Sequence, residues 1–218
     1  MTAPRLYVDS ADVDRVGRLL AAGVVHGVTT NPTILERGGH RADEMTELYE
    51  RWVAEGAAEV FFQTWGSDAA SLLRNARGIR SLGSRVVVKV PATADGFAAA
   101  SALVRDGASV LVTAVYSVAQ ALACASIGVR YIAPYLGRMR DAGLDGAGMI
   151  ARMQAMCAGS GTDVLAASLR SADDVVELRE AGVPYFTAAP DVLEEMLFNE
   201  VSDTSAAEFD AAMLRLGA

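Results

Sequence analysis

Lysine is almost missing from this chain: 18 of its 19 basic residues are arginine, and the single lysine, Lys89, stands inside the run VVVKVP. Histidine is nearly as scarce, since His26 and His40 are the only two and neither falls in a metal-ligand or triad spacing. A histidine-built metal centre and histidine proton transfer are therefore excluded as the central chemistry. His26 is expected to pack or to face solvent, and His40, beside two glycines, to sit in a loop. Cys124 and Cys157 occur singly inside helical patterns, without CxxC spacing, so both are expected to be reduced core residues and neither a nucleophile. No stretch approaches the roughly 20 apolar residues of a membrane span, and MTAPRLYVDS has no apolar signal-peptide core, so a cytoplasmic location is expected. Positive charge is in deficit, 19 against 27, and the net charge of −8 repels nucleic acid. A phosphorylated metabolite remains compatible, held by a few local arginines.

What the chain does have is a regular alternation of short β-rich runs with longer helix-period runs. The strand candidates are residues 6–10, 27–31, 59–65, 85–91, 109–116, 130–135, 163–168 and 185–188. Between them, apolar residues recur at three and four: Val13, Val16 and Leu20; Met45, Leu48 and Trp52; Leu72, Ala76 and Ile79; Phe97, Ala100 and Val104; Met149, Met153 and Met156. Gly23, Gly56, Gly83, Gly107, Gly128, Gly159 and Gly182 stand where helices should end in a left-handed cap. Ser10, Ser117 and Ser171 stand at helix starts, with Asp174 three residues after Ser171 as a box-like partner.

Eight βα units in succession predict right-handed crossovers and a parallel sheet that closes on itself. The expected fold is a single-domain (β/α)8 barrel over residues 1–218. An open doubly wound sheet is the alternative, but DSADVD after the first strand is no GxGxxG turn. An extra helix over about residues 204–217 carries Phe209, Met213 and Leu216 on one face, and that stripe must be buried on its own barrel or on a neighbouring subunit.

In such a barrel, reactive groups gather where the strands end. Those ends carry Asp9, Asn31, Gln63, Lys89, Thr113, Tyr135 and Ser168, whereas the strand interiors are apolar. Several have plain structural readings: Asp9 and Ser168 could help start helices, and Asn31 before Pro32 is a common helix-starting turn. Gln63 and Thr113 could satisfy backbone groups, and Tyr135 could be core with a wet hydroxyl. Lys89 has none. Strand alternation places it with Val87 on the inward face, where an unpaired ammonium is expensive. Desolvation lowers the pKa of such an amine, and a neutral amine in a polar-rimmed pocket attacks carbonyls. Trp65, on the same predicted face as Gln63, is expected to narrow that pocket.

The segments LYVDSADVD, GVTTNPTIL, VVVKVPATADG, VTAVYS, YIAPYLGR, VLAASLR and VPYFTAAPDVLEEM fall in the order and spacing of the transaldolase family, and most closely resemble its short, fructose-6-phosphate aldolase-like branch. The resemblance implies a Schiff-base enzyme without metal or organic cofactor. It implies Lys89 as the Schiff-base lysine, and Asp9, Thr30 and Asn31 beside the donor hydroxyls and the lysine. Gln63, Thr113 and Tyr135 would surround a catalytic water, and Arg138, Ser168 and Arg170 would hold the acceptor-side anion, phosphate or sulfonate. Gln63 with Tyr135 is associated with the aldolase, and the alternative is transfer of the dihydroxyacetone unit to a second sugar phosphate. Small sugar-phosphate, ketose or aldehyde substrates are implied as partners, with no nucleic acid and no membrane. A homo-oligomer, pentamer or decamer, is implied as well.

Overall fold

The computed structural model describes residues 3–217. Its eight parallel strands are Arg5–Asp9 (β1), Gly27–Thr29 (β2), Glu59–Gln63 (β3), Val86–Pro91 (β4), Val110–Val115 (β5), Tyr131–Pro134 (β6), Asp163–Leu169 (β7) and Tyr185–Ala188 (β8). They pair in sequence order and β8 pairs back onto β1, which closes the (β/α)8 barrel. All eight expected strands are present.

Each strand is covered on both faces, which is why its sequence reads as an almost unbroken apolar run. Along β4, Val86, Val88 and Val90 point outward into the layer beneath the helices, while Val87 joins the inner layer with Phe61, Leu111, Tyr131 and Leu165. Lys89, two residues beyond Val87, therefore shares the inward face. The other end of the ring is filled by Tyr7, Tyr131 and Tyr185, and Glu59 accepts from Tyr7 Oη at 2.6 Å and from Tyr131 Oη at 3.0 Å. Burial and the Glu59 carboxylate push the Tyr131 phenol up to about 12. His26 rests edge-on against Tyr7 at this end.

The helices are Val13–Ala21 (α1), Pro32–Arg37 (α2), Met45–Ala54 (α3), Ala69–Arg80 (α4), Ala94–Arg105 (α5), Val118–Ile127 (α6), Leu136–Asp141 (α7), Gly146–Cys157 (α8), Ala172–Glu180 (α9), Pro190–Leu197 (α10) and Glu200–Arg215 (α11). None is long and apolar enough to cross a membrane among the described residues. Their buried stripes follow the expected periodicity with two main exceptions. In α5 the buried residues are Gly96, Ala99, Ala100 and Leu103, and Phe97 and Val104 of the expected stripe are only half-buried. In α8 the buried set is Ile150, Met153 and Cys157, and Met156 of the expected stripe is 43% exposed. Cys124 and Cys157 are both unpaired and buried, and burial raises their thiols to about 12 and about 11.

Helix ends differ from expectation at four places. The cap of α1 is Asp12, which accepts from the Asp14 and Arg15 amides, whereas Ser10 accepts from the Asp12 amide before the helix begins. Ser171 caps α9 as expected, but Asp174 accepts from the Arg170 amide at 2.7 Å and from Arg140, so no reciprocal box forms. Gly83 is not left-handed, unlike the six other expected caps; a side chain there would strike the Tyr49 hydroxyl, 2.1 Å from the Cβ position. The last helix starts earlier than expected, at Glu200, and residues 1, 2 and 218 of the expected single domain lie outside the described residues. Phe209, Met213 and Leu216 are 69%, 52% and 80% exposed, so this chain alone does not bury their stripe.

Candidate active site

Loops at the C-terminal ends of the strands enclose a cavity of about 510 Å³. Its wall includes Asp9, Asn31, Gln63, Lys89, Thr113, Tyr135 and Ser168, all seven of the strand-end polar residues, together with Arg138. A second concavity of about 580 Å³, lined by Arg5, His26, Val176 and Phe186 among others, lies by the opposite strand ends and holds none of them.

Lys89 is 4% exposed and its Nζ donates to the Thr30 carbonyl at 2.6 Å. Parallel pairing of Gln63 with Lys89 sets the two side by side at one level of the ring. Burial lowers the amine's pKa from its ordinary value, and the Asp9 carboxylate opposes that shift in part. A carbonyl oxygen accepts a hydrogen bond from either the ammonium or the neutral amine, so Thr30 holds the nitrogen in place without fixing its charge.

Asp9 takes no part in capping. Its Oδ1 accepts from Thr29 Oγ1 at 2.6 Å, and that hydroxyl meets Thr187 Oγ1, also at 2.6 Å. This chain from β1 through β2 to β8 fixes the carboxylate beside the amine. Thr30 Oγ1 donates to the Phe61 carbonyl, which locks the residue whose own carbonyl receives Lys89. Asn31 has two placements at once: its Oδ1 caps α2 through the Ile34 amide at 3.0 Å, with Pro32 at the first helical position, and its side chain lines the cavity.

Across the ring, Thr113 Oγ1 and Tyr135 Oη are 2.6 Å apart. Burial raises the Tyr135 pKa, which keeps the phenol protonated and able to donate. Its ring carries the Arg138 guanidinium 5.1 Å from the centroid and the edge of Tyr116 at 6.0 Å. Two bulges shape this side: Ala114 and Ser168 adopt φ of 58° and 57°, where the β5–β6 and β7–β8 registers slip. Left-handed geometry in non-glycine residues stores strain, and here it sits at two wall residues of the cavity.

Two expectations meet a different placement. Arg170 makes a bidentate ion pair with Asp141, at 2.7 and 2.5 Å, and does not line the cavity. Trp65 does not line it either. The strand ends at Gln63, Thr64 turns to donate to the Leu72 carbonyl, and Trp65 lies 47% exposed in a separate groove with Arg74 and Asn75. Arg37, Thr29, Thr187 and Ala114 belong to the site without having been singled out. Thr187, a polar residue in the short run YFTA, carried a readable signal, and so did Arg37, one helical turn beyond Thr33.

Residues 6–216 match the family described as Transaldolase/Fructose-6-phosphate aldolase. The chain is 34% identical over 216 residues to a probable transaldolase of Cereibacter sphaeroides, covering 98% of this chain and 97% of that one. It is 33% identical to a probable transaldolase of a Ruegeria species over 91% of each chain. Among solved structures, a putative dihydrodipicolinate synthase family protein from Coccidioides immitis superposes with a TM-score of 0.67 at 13% identity, covering 97% of this chain and 75% of that one. A thiamine phosphate pyrophosphorylase from Pyrococcus furiosus gives 0.63 at 16%, covering 88% and 92%. At such identities these two establish the fold alone.

Proposed function

The chain belongs to the Transaldolase/Fructose-6-phosphate aldolase family, and from that premise we propose that it is a Schiff-base aldolase cleaving fructose 6-phosphate into dihydroxyacetone and glyceraldehyde 3-phosphate, or joining them. The observation that carries this reading is Lys89: a buried amine, pushed toward its neutral form, at the inner wall of a polar-rimmed cavity.

Neutral Lys89 attacks the ketose C2 carbonyl, and loss of water leaves a protonated imine. A water held among Gln63, Thr113 and Tyr135 takes the proton of the C4 hydroxyl as the C3–C4 bond breaks. The bonding pair flows into the imine, giving an enamine on Lys89 and a free aldehyde. Protonation at C3 and hydrolysis of the imine then release dihydroxyacetone and restore the amine. Asp9 and Asn31 orient the donor hydroxyls, with Thr30 fixing the lysine. Arg138 and Ser168 receive the terminal phosphate, and Arg170 stands behind them in its pair with Asp141.

A second reading keeps the enamine and lets another aldehyde capture it, as a transaldolase. The names of the relatives favour it, whereas Gln63 and Tyr135 favour the aldolase through the resemblance. Borohydride reduction in the presence of dihydroxyacetone should leave a stable adduct on Lys89, read by peptide mass; its absence ends both readings. Strict dependence of fructose 6-phosphate turnover on added erythrose 4-phosphate would select the transaldolase. The proposal includes a homo-oligomer in the cytoplasm, for which the exposed stripe of α11 and the two unpaired cysteines are the support.

A further inference from the structure

The cavity wall holds more positive charge than its expected anion contacts use. Its charged side chains are Asp9, Arg37, Lys89 and Arg138. Asp9 and Lys89 lie at the reacting centre, and burial drives Lys89 toward neutrality. Arg138 is stacked on Tyr135. Arg37 ends α2 and, among the described residues, has no ion-pair partner. Arg170, by contrast, is neutralised by Asp141.

The placement of Arg37 follows from the helix. Thr33, Ile34 and Arg37 share one face of α2, at spacings of three and four, and all three line the cavity. The strand before them, β2, and the strand before Arg138, β6, are four apart either way round the closed ring. The two guanidiniums therefore approach the mouth from opposite walls. A phosphate monoester carries about −1.5 to −2 charges at pH 7, more than one guanidinium balances.

We propose that Arg37 is the second cation of the anion-binding end, closing over the substrate terminus from the wall opposite Arg138, and that the pair selects a dianionic phosphoryl terminus over a monoanionic sulfonyl or an uncharged one. This rests on the reading of the site given above. An arginine in the last turn also complements the helix dipole; that role alone would lower stability and affect every substrate alike.

The test compares the parent with Arg37→Ala and Arg37→Lys on fructose 6-phosphate, its 6-sulfonate counterpart and fructose, with and without erythrose 4-phosphate. Dihydroxyacetone trapping is run on each protein. The expected result is a roughly tenfold fall in the phosphate-to-fructose ratio of kcat/KM in Arg37→Ala, the loss of one charge-assisted contact, carried mainly by KM. The phosphate-to-sulfonate preference should shrink in the same variant and recover in part in Arg37→Lys. In the parent that preference should weaken below about pH 6, where the phosphate dianion takes up a proton and becomes a monoanion like the sulfonate. Parallel losses on all three substrates, or an unchanged ratio in a variant that still traps dihydroxyacetone, overturn this inference alone. A parent that traps nothing overturns the site reading and this inference with it.

Discussion

Lys89 is held where its charged form is disfavoured, and that has a signed consequence for stability. Its native pKa lies below the unfolded value of about 10.4, so between the two the unfolded chain binds the extra proton and stability rises with pH. Lys89→Met removes this term. The variant should melt above the parent at pH 7, and the gap should narrow as pH approaches about 10.4; a gap that is absent or widens with pH would contradict a desolvated amine. The same substitution should lower kcat/KM by about 10⁴-fold or more, since the chain has no second lysine to supply the proposed nucleophile. In the parent, the rate of imine formation should climb with pH through the lowered pKa and level off before the ordinary lysine range. The buried, inward placement of Lys89 was legible at the residue scale because a lysine among valines has no inexpensive structural role. Arg170 was not so readable, since its partner Asp141 is 29 positions away and nothing in the sequence joins them. The strained Ala114 was hidden as well, because alanine gives no hint of a positive φ. Replacing it with glycine should raise stability by about 0.5–1 kcal/mol in a melting experiment, while loosening Thr113 enough to lower kcat.

At the scale of elements, the site depends on how closely α7 lies against the end of β7. A Cβ at Gly137 would stand 2.6 Å from Arg170 Nε and 2.7 Å from the Ser168 carbonyl. Gly137→Ala is therefore expected to cost about 1–3 kcal/mol, as overpacking does, measured by denaturant unfolding. By displacing Ser168 it should also raise KM for fructose 6-phosphate more than for fructose. Strand order and most helix faces could be read from period and punctuation, because each element's burial is set by its own covering layer. The ends could not be read as well. Ser10 and Asp12 are both competent caps, and the choice fell to the residue whose carboxylate reaches two amides. Gly83 looks like any terminating glycine, yet its reason is the Tyr49 hydroxyl from a different helix. Trp65 was misplaced because alternation was extended past Gln63, where the strand has already ended.

For the molecule as a whole, closure of the ring followed from counting eight units, but nothing in the chain's own periodicity says what covers α11. Val201, Phe209, Leu214 and Leu216 are each more than two-thirds exposed, and leaving so much apolar surface in water favours association. The double substitution Phe209→Asp and Leu216→Asp should lower the solution mass measured by light scattering while the circular dichroism spectrum is kept. An unchanged mass would place the subunit contact elsewhere. The tyrosine-packed floor, sealed by Tyr7 and Tyr131 on Glu59, makes the reaction chamber a cul-de-sac. Whatever comes in must back out through one doorway, so on the proposed Schiff-base route the aldehyde half would vacate before a replacement or hydrolytic water could reach the fragment still tethered inside. On that route sequential traffic follows from the architecture, whichever of the two fates that fragment meets.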